Sequence, residues 1–440
     1  MATIAIAVAM STLDVAIANI ALPTIGRELA ATPAATIWVV NAYQFAMTVS
    51  LLPLAFLGDI VGYKRIYMAG LVVFTLASLA CALATTLPLL VVARVVQGFG
   101  GAGIVSVNTA LIRFIFPRAQ LGRGLGFNAL VVATFSALGP SIAAAVLSVA
   151  SWHWLFAVNV PFGALALWLA ARVLPMTPMA GYRFDFLSAV LNAATIGLVI
   201  VAVDSLGRQA GAAEAIELVL ALVIGTVFIY RQLHLTVPLL PVDLFRRPVF
   251  ALSVGTSIGS YIAQTIAYVA LPFYFQDVVG LSQIDTGLMM TPWPAIVVIV
   301  APISGRLSDR YPAGVLGTFG LAMMTAGLVS LLLMPAAPGY VEVGWRMALC
   351  GVGFGFFQAP NNRLLLGSAP RERSGAGSGM LATARMTGQT LGSALVALSF
   401  GLTGARAGAE IAHGTTLAIS IAVASSTIAM VVSAMRLRAR

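Results

Sequence analysis

One carboxylate, Asp14, lies in the middle of an apolar run that extends from residue 2 to residue 22. At about 1.5 Å per residue, such a run crosses a hydrocarbon core of about 30 Å, which puts Asp14 near the midplane. A charge at that depth costs about 2.5–3.5 kcal/mol, so an acid there is read first as functional, the alternative being an Asp bonded to a neighbouring helix that fixes packing. It either takes a proton or faces water or a cation, and that switch is what proton coupling needs. A second ionisable group, Arg94, sits inside LVVARVVQGFGGAG (residues 90–103). Gln97, Gly98 and Gly101 share its helical stripe. A guanidinium stays charged when buried and needs acceptors, and it biases a nearby acid toward the ionised form. Asn41, Gln44 and Thr48 form a polar stripe that either lines a cavity or bonds to the first helix. Arg385 and Gln389 are either packing groups or cavity lining. Asp277 and Asp285 flank a turn, where they attract cations, carry protons or are simply solvated.

The elements that position these groups are apolar helices. Of 440 residues, 60% are hydrophobic and 9% charged, against about 25% charged in a soluble domain. Fourteen apolar runs of spanning length can be counted, which predicts an all-α membrane protein. With the N-terminus on the cytoplasmic side, the inside loops hold eighteen Lys and Arg and the outside loops hold Arg27, Arg208 and Arg406. That asymmetry favours an even number of spans, with both termini cytoplasmic. The first run has no basic leader or small-residue cleavage site, so it is expected to be a retained helix. The turns LGDIVGYKR (residues 57–65) and GRLSDRYPAG (residues 305–314) echo each other, as in a duplicated bundle. This suggests a first six-helix bundle over residues 1–174, an inserted pair over 175–232, a cytoplasmic linker over 233–247 and a second bundle over 248–440.

The net charge of +10 does not indicate nucleic acid, because the basic residues are scattered singly or in pairs with no basic stripe. Cys81 and Cys350 sit inside apolar runs without metal-ligand spacing, and no metal or cofactor site is expected. GVGFGFF (residues 351–357) lies within a run with no strand before it, so it is read as helix packing rather than a nucleotide loop. With no Walker motif, ATP is not the expected energy source, and no nucleophile–base pair suggests an enzyme.

Four motifs carry a resemblance. LDVAIANIALP (residues 13–23) is similar to L-D-x-T-V-x-N-V-A-L-P, with Ala16 for Thr. Leu57, Asp59, Gly62, Lys64 and Arg65 fit G-x-L-x-D-x-x-G-x-K/R-K/R, with Ala55 for the first Gly. Gly305, Leu307, Asp309 and Arg310 form its second copy, with Pro312 for Gly. Residues 90–103 match l-x-x-x-R-x-x-q-G-x-g. Gly139 and Pro140 match g-x-x-x-G-P-x-x-G-G, with Phe135, Ala143 and Ala144 replacing its other glycines. The following WHWLFAVNVP (residues 152–161) resembles W-R-W-x-F-x-x-N-x-P, with His153 for Arg. On these residues the chain resembles the major facilitator superfamily, in its branch of fourteen-span bacterial drug:proton antiporters. The resemblance implies two six-helix bundles plus two inserted helices in the inner membrane, alternating access, and a monomer that needs only substrate, protons and bilayer. It assigns proton coupling to Asp14 and Arg94 and a cytoplasmic latch to the loops with Asp59 and Asp309. It gives Gly139 and Pro140 an antiporter role. The expected substrate is a lipophilic, cationic drug, with an endogenous metabolite or siderophore as the alternative. Asn41, Gln44, Gln97, Asp285 and Arg385 are the cavity candidates.

Overall fold

The computed structural model describes residues 2–117, 121–177, 179, 184–205, 212–235, 238–240, 242–308, 310–335, 338–368, 374–405 and 408–437. Helices account for nearly all of them. The first half comprises α1 (Ala2–Glu28), α2 (Pro33–Thr36), α3 (Trp38–Val61), α4 (Tyr63–Ala82), α5 (Leu87–Ile115), α6 (Leu121–Val149), α7 (His153–Ala157) and α8 (Asn159–Val173). A pair follows, α9 (Phe186–Ser205) and α10 (Ala212–His234). The second half holds α11 (Pro248–Phe273), α12 (Gln283–Met290), α13 (Pro292–Leu307), α14 (Ala313–Leu332), α15 (Tyr340–Ser368), α16 (Ser374–Leu402) and α17 (Gly408–Met435). All fourteen apolar runs fall on these helices, α12 and α13 together forming the tenth.

Local chemistry sets several boundaries. Thr32 and Thr86 cap α2 and α5 by accepting from Ala35 N at 3.3 Å and Leu89 N at 3.4 Å, each just ahead of a proline in the first turn. These interactions occupy amides that a helix start leaves unpaired. Between α3 and α4 the chain turns through Gly62 at φ 95°, a backbone position that disfavours any residue with a Cβ.

Ten helical stretches among the described residues are long and apolar enough to cross a membrane. The chain is therefore an integral membrane protein. The pair α9 and α10 contributes two shorter apolar segments, Phe186–Ala202 and Val219–His234. Helices α15 and α16, each 29 residues long, are interrupted by Arg346, Gln358, Asn361 and Arg385. Leu76, Leu83, Leu89 and Val92 point outward from α4 and α5, as side chains facing lipid would.

The two halves repeat one packing scheme. In the first, a Cβ at Gly98 would lie 2.4 Å from Tyr43 O, and one at Gly100 would lie 2.4 Å from Phe74 N. In the second, a Cβ at Gly351 would lie 2.5 Å from Trp293 O, and one at Gly353 would lie 2.3 Å from Met324 N. Glycine lets α5 seat against α3 and α4, and α15 against α13 and α14, at backbone contact. The sequences ahead of the two internal prolines also match, IANIALP at residues 17–23 and IAYVALP at 266–272.

Candidate functional site: a buried charge cluster and the seam between the halves

Asp14 is fully buried where α1, α5 and α8 meet. Its Oδ2 accepts from Arg94 Nη1 at 2.5 Å, and its Oδ1 accepts from Gln97 Nε2 at 2.9 Å and Asn159 Nδ2 at 3.0 Å. Arg94, also fully buried, donates its Nε to Val39 O at 2.8 Å and its Nη1 to Gln97 Oε1 at 2.7 Å. The Arg94 guanidinium lies 4.3 Å from the centroid of the Tyr43 ring and 5.5 Å from that of Phe156. Ser78 Oγ accepts a further bond from Gln97 Nε2 at 2.9 Å. Three helices thus hold one salt bridge in a dry setting, where opposite charges attract strongly and an unpaired charge is costly. Among the described residues, Arg94 Nη2 has no partner, and neither does the hydroxyl of the buried Tyr43, whose ring the guanidinium faces.

The structure brings Asp14 and Arg94, the two residues expected to act together in proton coupling, into direct contact. Asp14 faces Arg94 within the first half, and its charge is neutralised there. Gln97, expected to line a cavity, bridges the pair instead. Asn159 lies in the motif at residues 152–161, which was read without assigning it a role. Tyr43 and Ser78 gave no sequence signal, since an aromatic or a serine in an apolar helix reads as packing.

The seam between the halves is built by α3 against α16 and by α6 against α12 and α13. Gln44 Oε1 accepts from Ser393 Oγ at 2.9 Å, and Thr48 and Thr390 share a hydrogen bond of 2.9 Å. Asn41, on the same stripe of α3, is fully buried with neither amide atom partnered among the described residues. Further polar bonds gather at the Arg27 end. Arg27 reaches Gln276 Oε1 at 3.3 Å and Asp277 at 3.9 Å, and Gln276 donates to Ile20 O at 3.1 Å. Gln283 donates to Thr24 Oγ1 at 3.3 Å.

The Gly139–Pro140 step of α6 sits in this closure. A Cβ at Gly139 would lie 2.3 Å from that of Ala16 on α1, while Pro140 and Ala144 press on Gly287 of α12. Ser141 and Thr291 add a hydrogen bond of 2.9 Å. The motif therefore joins α1 to the opposite half.

Arg385 of α16 is partly buried, with its Nε unpartnered among the described residues, and it lies three residues before Gly388, where a Cβ would lie 2.7 Å from that of Tyr261 on α11. Asp285 is in a different setting. It caps α12 through Ser282, whose hydroxyl donates to Asp285 Oδ2 at 2.8 Å, and it accepts from the Tyr340 hydroxyl. It is placed in a helix cap, away from the α3–α16 seam.

At the opposite end, Asp59 accepts from the Tyr63 hydroxyl. Lys64 Nζ donates to Leu174 O at 2.7 Å and Ala171 O at 3.0 Å, and Tyr63 N donates to Thr177 Oγ1 at 2.8 Å. Arg65 returns to Val61 O at 3.3 Å. Gly62 and its neighbours thus tie the loop to the end of α8, within the first half. Of the second copy, Arg310 is exposed, and Asp309 lies outside the described residues. Among the described residues, no group of His, Cys, Asp and Glu is placed to hold a metal ion.

Comparison with known proteins agrees with this architecture. The Major Facilitator Superfamily model matches residues 4–393. The uncharacterized transporter YebQ of Escherichia coli (strain K12) is 54% identical over 438 residues, covering 99% of this chain and 94% of that protein. The riboflavin transporter RibZ of Clostridioides difficile (strain 630) is 30% identical, covering 90% and 87%. The multidrug resistance protein Stp of Mycobacterium tuberculosis (strain CDC 1551 / Oshkosh) is 31% identical, covering 87% and 72%. A bacterial homolog of the human lysosomal transporter Spinster, solved in an inward-facing and unoccupied conformation, shares the fold with a TM-score of 0.69 at 16% identity, over 99% of this chain and 96% of that one.

Proposed function

The chain belongs to the major facilitator superfamily of membrane transporters, and from that premise we propose that it exports lipophilic toxic compounds in exchange for protons. It works by alternating access of fourteen spans, two six-helix halves with α9 and α10 inserted, in a bacterial inner membrane with both termini cytoplasmic. Multidrug resistance proteins among its relatives support an export role. The carrying observation is the Asp14–Arg94 pair, fully buried and bridged across α1, α5 and α8.

The pair supplies a coupling device. Protonation of Asp14 removes the anionic side of the bridge. Arg94 then keeps Val39 O and Gln97 Oε1 as acceptors but loses its counter-charge. Its Nη2 donor and the Tyr43 hydroxyl, both unpartnered among the described residues, offer an alternative set of contacts. Helices α1, α5 and α3, which these groups join, are then free to change their relative packing. In this scheme the bonds at the Arg27 end hold that side closed, and substrate enters from the Lys64 end. Loading of substrate is coupled to proton release, and the outward state reprotonates Asp14.

The riboflavin transporter among the relatives favours one second reading, proton-linked export of an endogenous metabolite. Efflux into inverted vesicles, with dye, drug, flavin and siderophore panels, separates the two. In the same vesicles, efflux that collapses with an uncoupler in the wild type should be absent in Asp14→Asn. Gradient-driven efflux in Asp14→Asn would remove Asp14 from coupling.

A further inference from the structure

Within the exporter reading above, the charge of the substrate can be argued from what faces the seam. A cation would need a free acid at mid-depth. Asp14 does not supply one, because its two oxygens are taken by Arg94, Gln97 and Asn159 and it is fully buried. Among the described residues, several other acids are engaged toward helix ends: Glu28 with Trp152, Asp277 with Arg27, Asp285 in its cap, Asp59 with Tyr63 and Asp185 with Arg231.

The seam does hold a cation. Helix α16 is wedged between the halves: Met386 joins the apolar cluster of the first half, and Gly388 presses against Ile258 and Tyr261 of α11. Arg385 is partly buried and lies three residues before Gly388 on the same face of α16, the face that meets Tyr261. Among the described residues it makes no hydrogen bond or ion pair, and its Nε is buried without a partner. A guanidinium nitrogen buried away from water is ordinarily paired, since an unsatisfied buried polar group is unfavourable. Its planar fork suits a carboxylate, and aromatic walls suit an apolar body. Tyr261 supplies one such wall, stacked edge-on with Phe354 at 5.4 Å and fixed through its hydroxyl by Gln358 at 2.9 Å.

We infer that the transported compound is a lipophilic organic anion, whose acidic oxygens dock on the Arg385 guanidinium while its apolar body lies against Tyr261. Arg94 neutralises the membrane-buried acid, and Arg385 then sets the sign of the cargo.

The test is equilibrium binding to the full chain in lipid nanodiscs, with empty nanodiscs as blank. The probes are 1-pyrenebutyrate, a lipophilic carboxylate, and tetraphenylphosphonium, a lipophilic cation. The wild type should bind pyrenebutyrate saturably, and tetraphenylphosphonium should not displace it. Arg385→Gln should weaken binding at least tenfold, and Arg385→Lys should recover part of the loss. Pyrenebutyrate binding no better than to empty discs, equal in Arg385→Gln, or displaced by the cation would overturn the assignment. If Arg385→Gln does not fold, the Lys variant and the competition on the wild type decide. No proton gradient is present, so failure here is separable from failure of proton-driven export, which the vesicle assay reads.

Discussion

The two halves place the same helices against one another with different chemistry at their centres. Gly98 against Tyr43 corresponds to Gly351 against Trp293, and Gly100 against Phe74 to Gly353 against Met324. Counting from these anchors and from the matched prolines Pro23 and Pro272, Asp14 corresponds to Ala263. Arg94 corresponds to Met347, Gln97 to Cys350 and Ser78 to Leu328. All eight positions are buried. The second half closes the same geometry with an apolar core, so the fold itself does not require a salt bridge there. Apolar side chains of similar volume often match or exceed a buried ion pair in stability. The charges of the first half are therefore not a demand of the shared packing, which is what the proposed coupling role expects.

Breaking one side of the pair should have the largest effect. Arg94→Met leaves the Asp14 carboxylate buried without its counter-charge, a loss of about 3–5 kcal/mol for a buried pair. Thermal unfolding in detergent should show a large drop, while Met347→Ala in the other half should register only as a cavity, about 2–5 kcal/mol, with transport retained. A stable, fully active Arg94→Met would remove the contrast between the halves.

Packing, unlike charge, should behave alike on both sides. Gly100→Ala and Gly353→Ala each drive a methyl into backbone at 2.4 and 2.3 Å. Overpacking of this kind typically costs about 1–3 kcal/mol, and the two variants should fall within about 1 kcal/mol of each other in unfolding experiments. A large difference would show that the halves do not share one packing scheme.

At the seam, Thr390→Val removes the bond to Thr48 and Ser393→Ala the bond to Gln44. A single neutral hydrogen bond contributes about 1 kcal/mol. The expected outcome is a several-fold change in transport rate with little change in unfolding, since the bond holds one half to the other rather than a half together.

The smallest effect concerns α9 and α10, which the two-half comparison leaves aside. Asp185 pairs with Arg231 at 3.1 Å and accepts from Ser188 Oγ at 2.6 Å. Burial alone would raise its pKa, but the bonds from Ser188 and Arg231 outweigh it and hold the carboxyl below its ordinary value. A depressed folded pKa means that the clasp is at full strength above about pH 4, the unfolded carboxylate range, and weakens as pH falls through the folded value. Amide exchange at the start of α9 should rise over that acid range in the wild type and lose this dependence in Asp185→Asn.

Helix positions were legible because apolar runs of spanning length leave few alternatives, and Asp14 and Arg94 stood out as charges inside such runs. The resemblance ties Arg94 to Asp14, but their direct contact was not legible. It joins residues 80 apart, and the Asn159 contact joins residues 145 apart, so only the packing of α1, α5 and α8 reveals it. Asp285 shows a local signal of the opposite kind. Ser282 three residues before it is a helix-capping pattern, and that pattern, rather than its charge, describes its place. Arg385 was legible as an intramembrane charge, but its lack of a partner becomes visible only once α16 is seated between the halves.

The most direct measurement is to transplant the second half's residues into the first. Asp14→Ala with Arg94→Met removes both charges together and leaves neither ion unpaired. If the pair exists for coupling, the double variant should unfold within about 1–2 kcal/mol of the wild type, far closer than either single variant, and its gradient-driven efflux in inverted vesicles should be lost. Efflux that still collapses with an uncoupler in this charge-free protein would contradict the account.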